Sequence, residues 1–305
     1  MGYLSSPVIV EFHDCVELSR VKVNTFESLT VQLLTEEAKS EALQFLAVRP
    51  AHTVLLDGFL RENGVDSPFN RGKFYVCRDR QGGIRGIALI GHYVLIETSH
   101  NDAIKAFARL ARTEPKLRLI MGEAHKIDCL WSHYLSEGSV PYSRERELLL
   151  EQRWPVEALP DVPGLRLARL EDLDLVAAAH ASVAADERGA NLLEVDPVGF
   201  VKRCARRISQ GQVWVWIENG RLIFKVDIVS ETPYVAYLEG AYVDPYDRSK
   251  GYGLRCFSQL SRQILSRTES ICLLVNERNR TARLFYARVG FTPLSRYGTI
   301  FLNDT

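Results

Sequence analysis

Two short stretches in the second half of the chain carry residue types and spacings that can do chemistry. The first is Arg248-Ser249-Lys250-Gly251-Tyr252-Gly253, directly ahead of an apolar-periodic run. Glycines let a backbone turn where a Cβ would forbid it and approach a ligand closely. Successive free N–H groups at a helix start form an anion nest that the helix dipole reinforces. The natural ligand of such a loop is a pyrophosphate, although an isolated loop of this kind is also an ordinary helix entry. The second stretch is Asn279-x-x-Ala282-x-x-x-Tyr286-x-x-x-Gly290-Phe291. Asn279, Arg283 and Tyr286 stand three or four residues apart and share one helix face. A positioned tyrosine is a feasible general acid, and it is also a packing residue. Ahead of both stands Glu239, in Leu238-Glu239-Gly240-Ala241-Tyr242-Val243, a carboxylate inside an otherwise apolar strand. It can take a proton from an ammonium group, directly or through water, or it can serve only structure.

These residues need elements to hold them. The spacing predicts a strand from Leu165 to Ala168, helices from Glu171 to Ala185 and Pro197 to Ser209, and strands from Val213 to Ile217 and Leu222 to Ile228. Glu218-Asn219-Gly220-Arg221 joins the last two as a hairpin turn, since Asn-Gly tolerates positive φ. Further strands are expected from Tyr234 to Val243, Ile271 to Val275 and Thr299 to Leu302, and helices from Gly253 to Leu265 and Asn279 to Val289. The first half ends in a similar order. After a turn at Gln81-Gly82-Gly83 comes a long strand from Ile84 to Ile96. A helix from Asp102 to Arg112, a short strand from Leu117 to Met121 and a helix from Glu123 to Leu135 follow. That order matches the second half from Val235 to Val289 and suggests a degenerate duplication, though βαβα order is common in α/β folds.

The chain has 305 residues, enough for two domains. Trp154 to Gly164 holds Pro155, Pro160 and Pro163, which exclude regular helix and central strand. The boundary falls there, giving domains 1–156 and 164–305. Apolar content of 46% and charged content of 25% are those of a globular protein. Lys plus Arg and Asp plus Glu are 38 each, which argues against a nucleic-acid partner. The longest apolar stretch, Ile87 to Ile96, is interrupted by His92 and too short to span a bilayer, so no membrane partner is expected. Met1 to Ser6 meets the loose myristoylation template, but no polybasic second anchor follows. The six cysteines are scattered and read as reduced thiols of a cytoplasmic protein. His125, Cys129 and His133, four apart on one helix, diverge too far to meet one zinc ion, so no metal is expected.

Together, in this order, the glycine loop and the Asn279-to-Phe291 motif resemble the GNAT superfamily of acetyl-CoA-dependent N-acetyltransferases. The resemblance covers about Leu165 to Leu302. It implies an α/β fold with a mixed, mostly antiparallel sheet flanked by helices, and acetyl-CoA as cosubstrate. Residue by residue, it makes Arg248, Ser249, Lys250, Gly251, Tyr252 and Gly253 the pyrophosphate loop. Tyr242 and Val243 become the strand end that pairs with the pantetheine arm, in an opening between that strand and Ile271 to Val275. Asn279 and Ala282 would line the cofactor arm, Tyr286 would protonate the departing thiolate, and Glu239 is the candidate base. Asp186, Glu187, Glu194 and Asp196 fall in the segment that lines the acceptor cleft in the family, or form a solvated acidic loop. The first half lacks both motifs. Its Thr98-Ser99-His100 offers a cap in place of a glycine nest, and Asp102 would repel a pyrophosphate. Through Phe107 with Ala108, Gly122-Glu123 and Leu130-Trp131 it is similar to the degenerate first domain of two-domain GNAT proteins. The implied activity is direct acetyl transfer to a primary amine, small-molecule or peptide, in a ternary complex. A homodimer is left open. The reading of a different class is a non-catalytic acyl-CoA sensor on the same fold.

Overall fold

The Asn-Gly turn forms as its residue types demand, with Asn219 at φ 50° and Gly220 at φ 73°. It belongs to a computed structural model that describes residues 29–135, 141–155, 158–188 and 196–302, without the side chains of 186–188. Met1 to Ser6, Cys15, Glu194 and the side chains of Asp186 and Glu187 therefore lie outside the described residues.

The first half runs β1 (Thr30–Leu33), α1 (Lys39–Ala47), α2 (Pro50–Asn63), β2 (Gly72–Arg78), β3 (Ile84–Gly91), β4 (Tyr93–Thr98), α3 (Asn101–Ala111), β5 (Leu119–Glu123), α4 (Ala124–Tyr134) and β6 (Ser143–Gln152). The second runs β7 (Leu165–Leu167), α5 (Leu173–Arg188), α6 (Pro197–Ser209), β8 (Val213–Glu218), β9 (Arg221–Glu231), β10 (Val235–Val243), α7 (Tyr252–Leu265), β11 (Ser270–Asn276), α8 (Arg280–Arg288) and β12 (Thr292–Phe301). The long strand expected from Ile84 to Ile96 is two strands. The chain reverses at His92, so that Ile90 pairs with Val94 and Gly86 with Thr98. An apolar run cannot reveal such a reversal, because both arms of the hairpin are buried. β12 also starts seven residues earlier than its spacing predicts, since Arg296 and Leu294 stay exposed and blur the pattern.

All twelve strands join one sheet in the order β1-β2-β3-β4-β5-β12-β6-β11-β10-β9-β8-β7. Exchanging each strand with the one six places along reverses this order onto itself, the signature of a two-fold repeat. Only β4–β5 and β10–β11 pair in parallel. Each half also gives away its last strand. β6 pairs with β11, β12 pairs with β5, and the two run antiparallel to each other from Thr292–Glu151 to Phe301–Ser143. A cut at residues 156–164 thus divides the sequence but not the sheet.

The cores follow from strand alternation. On one face α3 and α4 cover Val94, Ile96 and Ile120, and α7 covers Phe224, Leu238 and Leu273. On the other, α1 and α2 cover Phe74, Val76 and Leu89, and α5 and α6 lie over Val213 and Val215. Helix α2 reaches beyond its own half. Its Ala51 and Val54 pack with Val235, Tyr237 and Cys272, and the Ser230 hydroxyl donates to Val54 O at 2.7 Å. A Cβ on Gly58 would collide with that hydroxyl, so this crossing needs glycine. The proline-rich segment is also docked: Val162 is buried and its N–H donates to Gln259 Oε1 at 2.7 Å.

Residues 164–305 expressed alone leave β11 without β6, β12 without either neighbour, and the face under α2 bare. Unpaired strand edges and exposed apolar faces drive association. We expect that fragment to aggregate on size exclusion and to lack a cooperative melt; a sharp thermal transition would contradict the shared sheet.

Candidate functional site

The site begins where a ladder ends. β10 pairs with β11 only from Val235–Ser270 to Leu238–Leu273. Beyond Leu238, β10 stays with β9 and leaves β11. A bulge marks the departure: Glu239 opposes Asp227 and Tyr242 opposes Lys225, so Gly240 and Ala241 face Val226 alone. Gly240 adopts φ 60°, which favours glycine. On the α7 side of this parting Ala241, Val243, Leu254, Ala282, Phe285 and Tyr286 are half-buried and pack against the apolar core.

After Val243 the chain turns through a short 3-10 segment, Pro245–Asp247, started by Asp244, whose carboxylate accepts from Tyr246 N–H at 2.9 Å. Ser249 sits at φ 63° and Gly251 at φ 80°, and Gly251 is the N-cap residue of α7. Among the described residues no side chain caps this helix end. Its first N–H groups are thus available to an anion. Open space surrounds the position of a Cβ on Gly251. The loop's charges are partly engaged: Arg248 Nε donates to Val243 O at 3.2 Å, and Lys250 pairs with Asp247 at 2.8 Å. Tyr252 rests edge-on against Trp216 of β8, 5.0 Å between centroids.

The structure assigns several motif residues to architecture. Gly253 lets α7 approach its neighbours, since a Cβ would stand 3.1 Å from Val243 Cγ2 and 3.3 Å from Phe285. Asn279 caps α8, accepting from Ala282 N–H at 3.0 Å. The Tyr242 ring packs with the apolar cluster under α5 and α6, so only its backbone borders the opening. Asp196 caps α6 through Gly199 N–H and pairs with Arg203 at 3.0 Å. Tyr286 is half-buried in an aromatic group with Phe257, Phe285 and Phe291, at 5.4 to 5.8 Å between centroids.

Glu239 projects to the opposite face, toward α5 and α6, with its side chain 44% exposed and Arg207 of α6 at 3.7 Å. Behind it lies a charged group that motif reading misses. Arg207 also holds Asp227 at 3.0 Å, Lys225 holds Asp227 at 2.9 Å, and His180 of α5 stands 3.6 Å from Asp227. Burial pushes the Asp227 carboxyl up, but Lys225 and Arg207 outweigh it and keep it below the usual carboxylate range. The signal was present in the sequence: two opposite charges two apart, on one face of the apolar run Leu222-Ile223-Phe224-Lys225-Val226-Asp227-Ile228. The described residues contain no group of three or more His, Cys, Asp or Glu placed to hold a metal.

The first half repeats the parting and places charge beside it. β4 leaves β5 after Leu95–Met121. There Lys126 pairs with Glu97 at 2.9 Å and Glu123 at 2.6 Å, and Arg49 with both carboxylates at 3.0 and 2.8 Å. Lys126 is the third residue of α4, the place Ala282 holds in α8.

Residues 227–298 match the family model described as FR47-like protein. No curated protein matches the chain. Among solved structures, a Drosophila protein is similar at TM-score 0.66 and 14% identity, covering 90% of this chain and 99% of that one. A GNAT-family acetyltransferase from Colwellia psychrerythraea is similar at TM-score 0.55 and 14% identity, over 90% and 100% of the two chains. A tandem GNAT protein from the clavulanic acid biosynthesis pathway gives TM-score 0.54 and 13% identity over 91% and 100%.

Two expectations follow from this geometry. Asn279→Ala should cost about 1 kcal/mol in denaturant unfolding while Asn279→Ser restores it, because a hydroxyl also caps; equal losses in both would mean that capping is not the residue's role. In the first half, burial pushes Glu123 up, but the Arg49 and Lys126 hydrogen bonds outweigh it and bring it to about 2. A depressed carboxyl stabilises the fold above its unfolded pKa and loses that contribution as pH falls through the folded value. Unfolding free energy should therefore drop on the order of 3 kcal/mol between about pH 5 and pH 2 through this group. Glu123→Gln should flatten that limb, and an unchanged pH profile would count against the network. In fold, the resemblance read from the glycine loop and the Asn279 motif holds: the chain has the GNAT fold in tandem, with the FR47-like segment in its second half.

Proposed function

We propose that the second half transfers an acetyl group from acetyl-CoA to a primary amine. The observation that carries this reading is the opening beyond Leu238 and Leu273, placed directly ahead of a helix whose start is left bare by Gly251. The GNAT fold supports acyl transfer in general, and these two features fit an extended thioester arm and a pyrophosphate.

Acetyl-CoA supplies the thioester carbon that the amine attacks. Gly251 and the first turn of α7 bind the pyrophosphate, with Arg248, Ser249 and Lys250 beside it. Ala241, Val243 and Ala282 border the arm. An alkylammonium at pH 7 must lose a proton before it can attack. Glu239, on the face of α5 and α6, takes that proton. As the C–S bond breaks, the leaving sulfur needs one in return, and the Tyr286 hydroxyl, on the α7 face, gives it. The strand between these two residues separates acceptor from cofactor, which suits direct transfer in a ternary complex.

The first half supplies no second cofactor site in this reading, because Lys126 with two carboxylates stands where the second half has Ala282, and the helix after β4 starts without a glycine. Calorimetric titration should give one acetyl-CoA per chain. Gly251→Asp should abolish binding, since a carboxylate enters the nest and φ 80° strains any side chain. Two sites per chain, or undiminished binding by Gly251→Asp, would overturn the assignment. Release of free CoA thiol only when amines are added separates an enzyme from an acyl-CoA sensor.

A further inference from the structure

Lys225 and Asp227 are the outlying feature of β9. Both side chains are 0% exposed, in the middle of a strand whose neighbours are Phe224, Val226 and Ile228. An apolar pair of similar volume is often as stable as a buried ion pair, or more so, so stability does not explain their presence. Their position does. They are the two residues of β9 that flank the bulge, Asp227 opposite Glu239 and Lys225 opposite Tyr242.

The Lys225 amino group reaches under the extra residue. It lies 2.9 Å from Asp227 Oδ1 and donates to Gly240 O at 3.3 Å. It also stands 3.4 Å from His180 Nδ1. A Cβ on Gly240 would come within 2.9 Å of Lys225 Nζ. Glycine at φ 60° thus lets the strand sit directly on the lysine, and a backbone carbonyl turned out of the regular ladder finds a buried donor. Without that donor the half-buried carbonyl would lose its protein partner, and the strand would gain by straightening back toward β11.

We propose that Lys225, held by Asp227, is a positioning residue: its amino group fixes the Gly240 bulge and so keeps open the departure of β10 from β11 that admits the cofactor arm. The proposal rests on the acetyl-CoA reading above. Neither residue touches the reacting atoms.

The test separates positioning from stability. Lys225→Met alone would strand a buried carboxylate, so the informative variant is Lys225→Met with Asp227→Leu, which removes both charges at similar volume. Denaturant unfolding of this double variant should remain cooperative, with Arg207 left to Glu239. Calorimetric titration with acetyl-CoA should nonetheless show affinity at least tenfold weaker. A double variant that binds acetyl-CoA as tightly as the parent overturns the proposal. Should the double variant fail to fold, Gly240→Ala reads the same device. It keeps both charges but forces a Cβ against Lys225 at a strained φ, and is expected to weaken acetyl-CoA binding tenfold. Parental affinity in that variant also overturns the proposal. A parent chain that binds no acetyl-CoA removes the cofactor reading and this proposal with it, an outcome visible in the first titration.

Discussion

The antiparallel ladder between β6 and β12 is the constraint on which everything else hangs. Each strand closes the half to which it does not belong: β6 lies against β11, and β12 lies against β5. Neither half can therefore complete its sheet without the other. The exchange also sets the faces. Strand alternation carried across the ladder places α3, α4, α7 and α8 on one side and α1, α2, α5 and α6 on the other. The candidate cofactor opening and the candidate acceptor face of the second half lie on opposite sides of one strand for this reason. Helix α2 of the first half comes to cover Val235, Tyr237 and Cys272 of the second by the same geometry. The first half thus supports the paired part of the β10–β11 ladder from below.

Comparing the two partings shows one backbone arrangement carrying two different sets of side chains. In both halves a parallel pair parts after three or four residues and a helix follows the second strand. At the third residue of that helix one half has Ala282 and the other Lys126. At the N-cap one has Asn279 and the other Glu123. A small neutral residue adds no charge there; a long cation draws in the carboxylates of Glu97 and Glu123. Three charges buried together must be mutually satisfied, because stranding any one costs about 3–5 kcal/mol. Such a group resists removal by single substitutions. The helix after β4 also begins at His100 with no glycine, and Asp102 in its first turn opposes an anion, so a phosphate gains little there.

Much of the second half was legible because its signals are local. Asn219-Gly220 fixes a hairpin by backbone sterics, and the periodicity of residues 197–209 fixes a helix whose ends match the sequence reading. The glycine loop and the Asn279 motif are local in the same way. What stayed hidden depends on partners far away in sequence. The reversal at His92 is invisible when both strands are buried. The strand Ser143–Gln152 went unread because Arg144 and Arg146 alternate with Glu145 and Glu147, a pattern that looks solvated until β11 and β12 flank it. At the site, motif matching identified where residues stand but not what each does. Asn279 and Gly253 keep their places through capping and close packing, which are requirements of the helices themselves.

Charge inside β9 joins these observations. Moving two ions out of water costs several kcal/mol each after relaxation, and their attraction returns that only when their remaining hydrogen-bonding groups are met. Here the partners come from three elements. Lys225 meets Gly240 O of β10, Asp227 meets Arg207 of α6, and His180 of α5 stands beside both. Arg207 then extends to Glu239, 3.7 Å away. The bulge that opens the cofactor side and the carboxylate offered to the acceptor side are thus held by one buried group. A shift of α6 that moved Arg207 would disturb Asp227 and Glu239 together. The spacing between the two sides of the site is in that sense set in the core, by a lysine and an aspartate that neither ligand needs to touch.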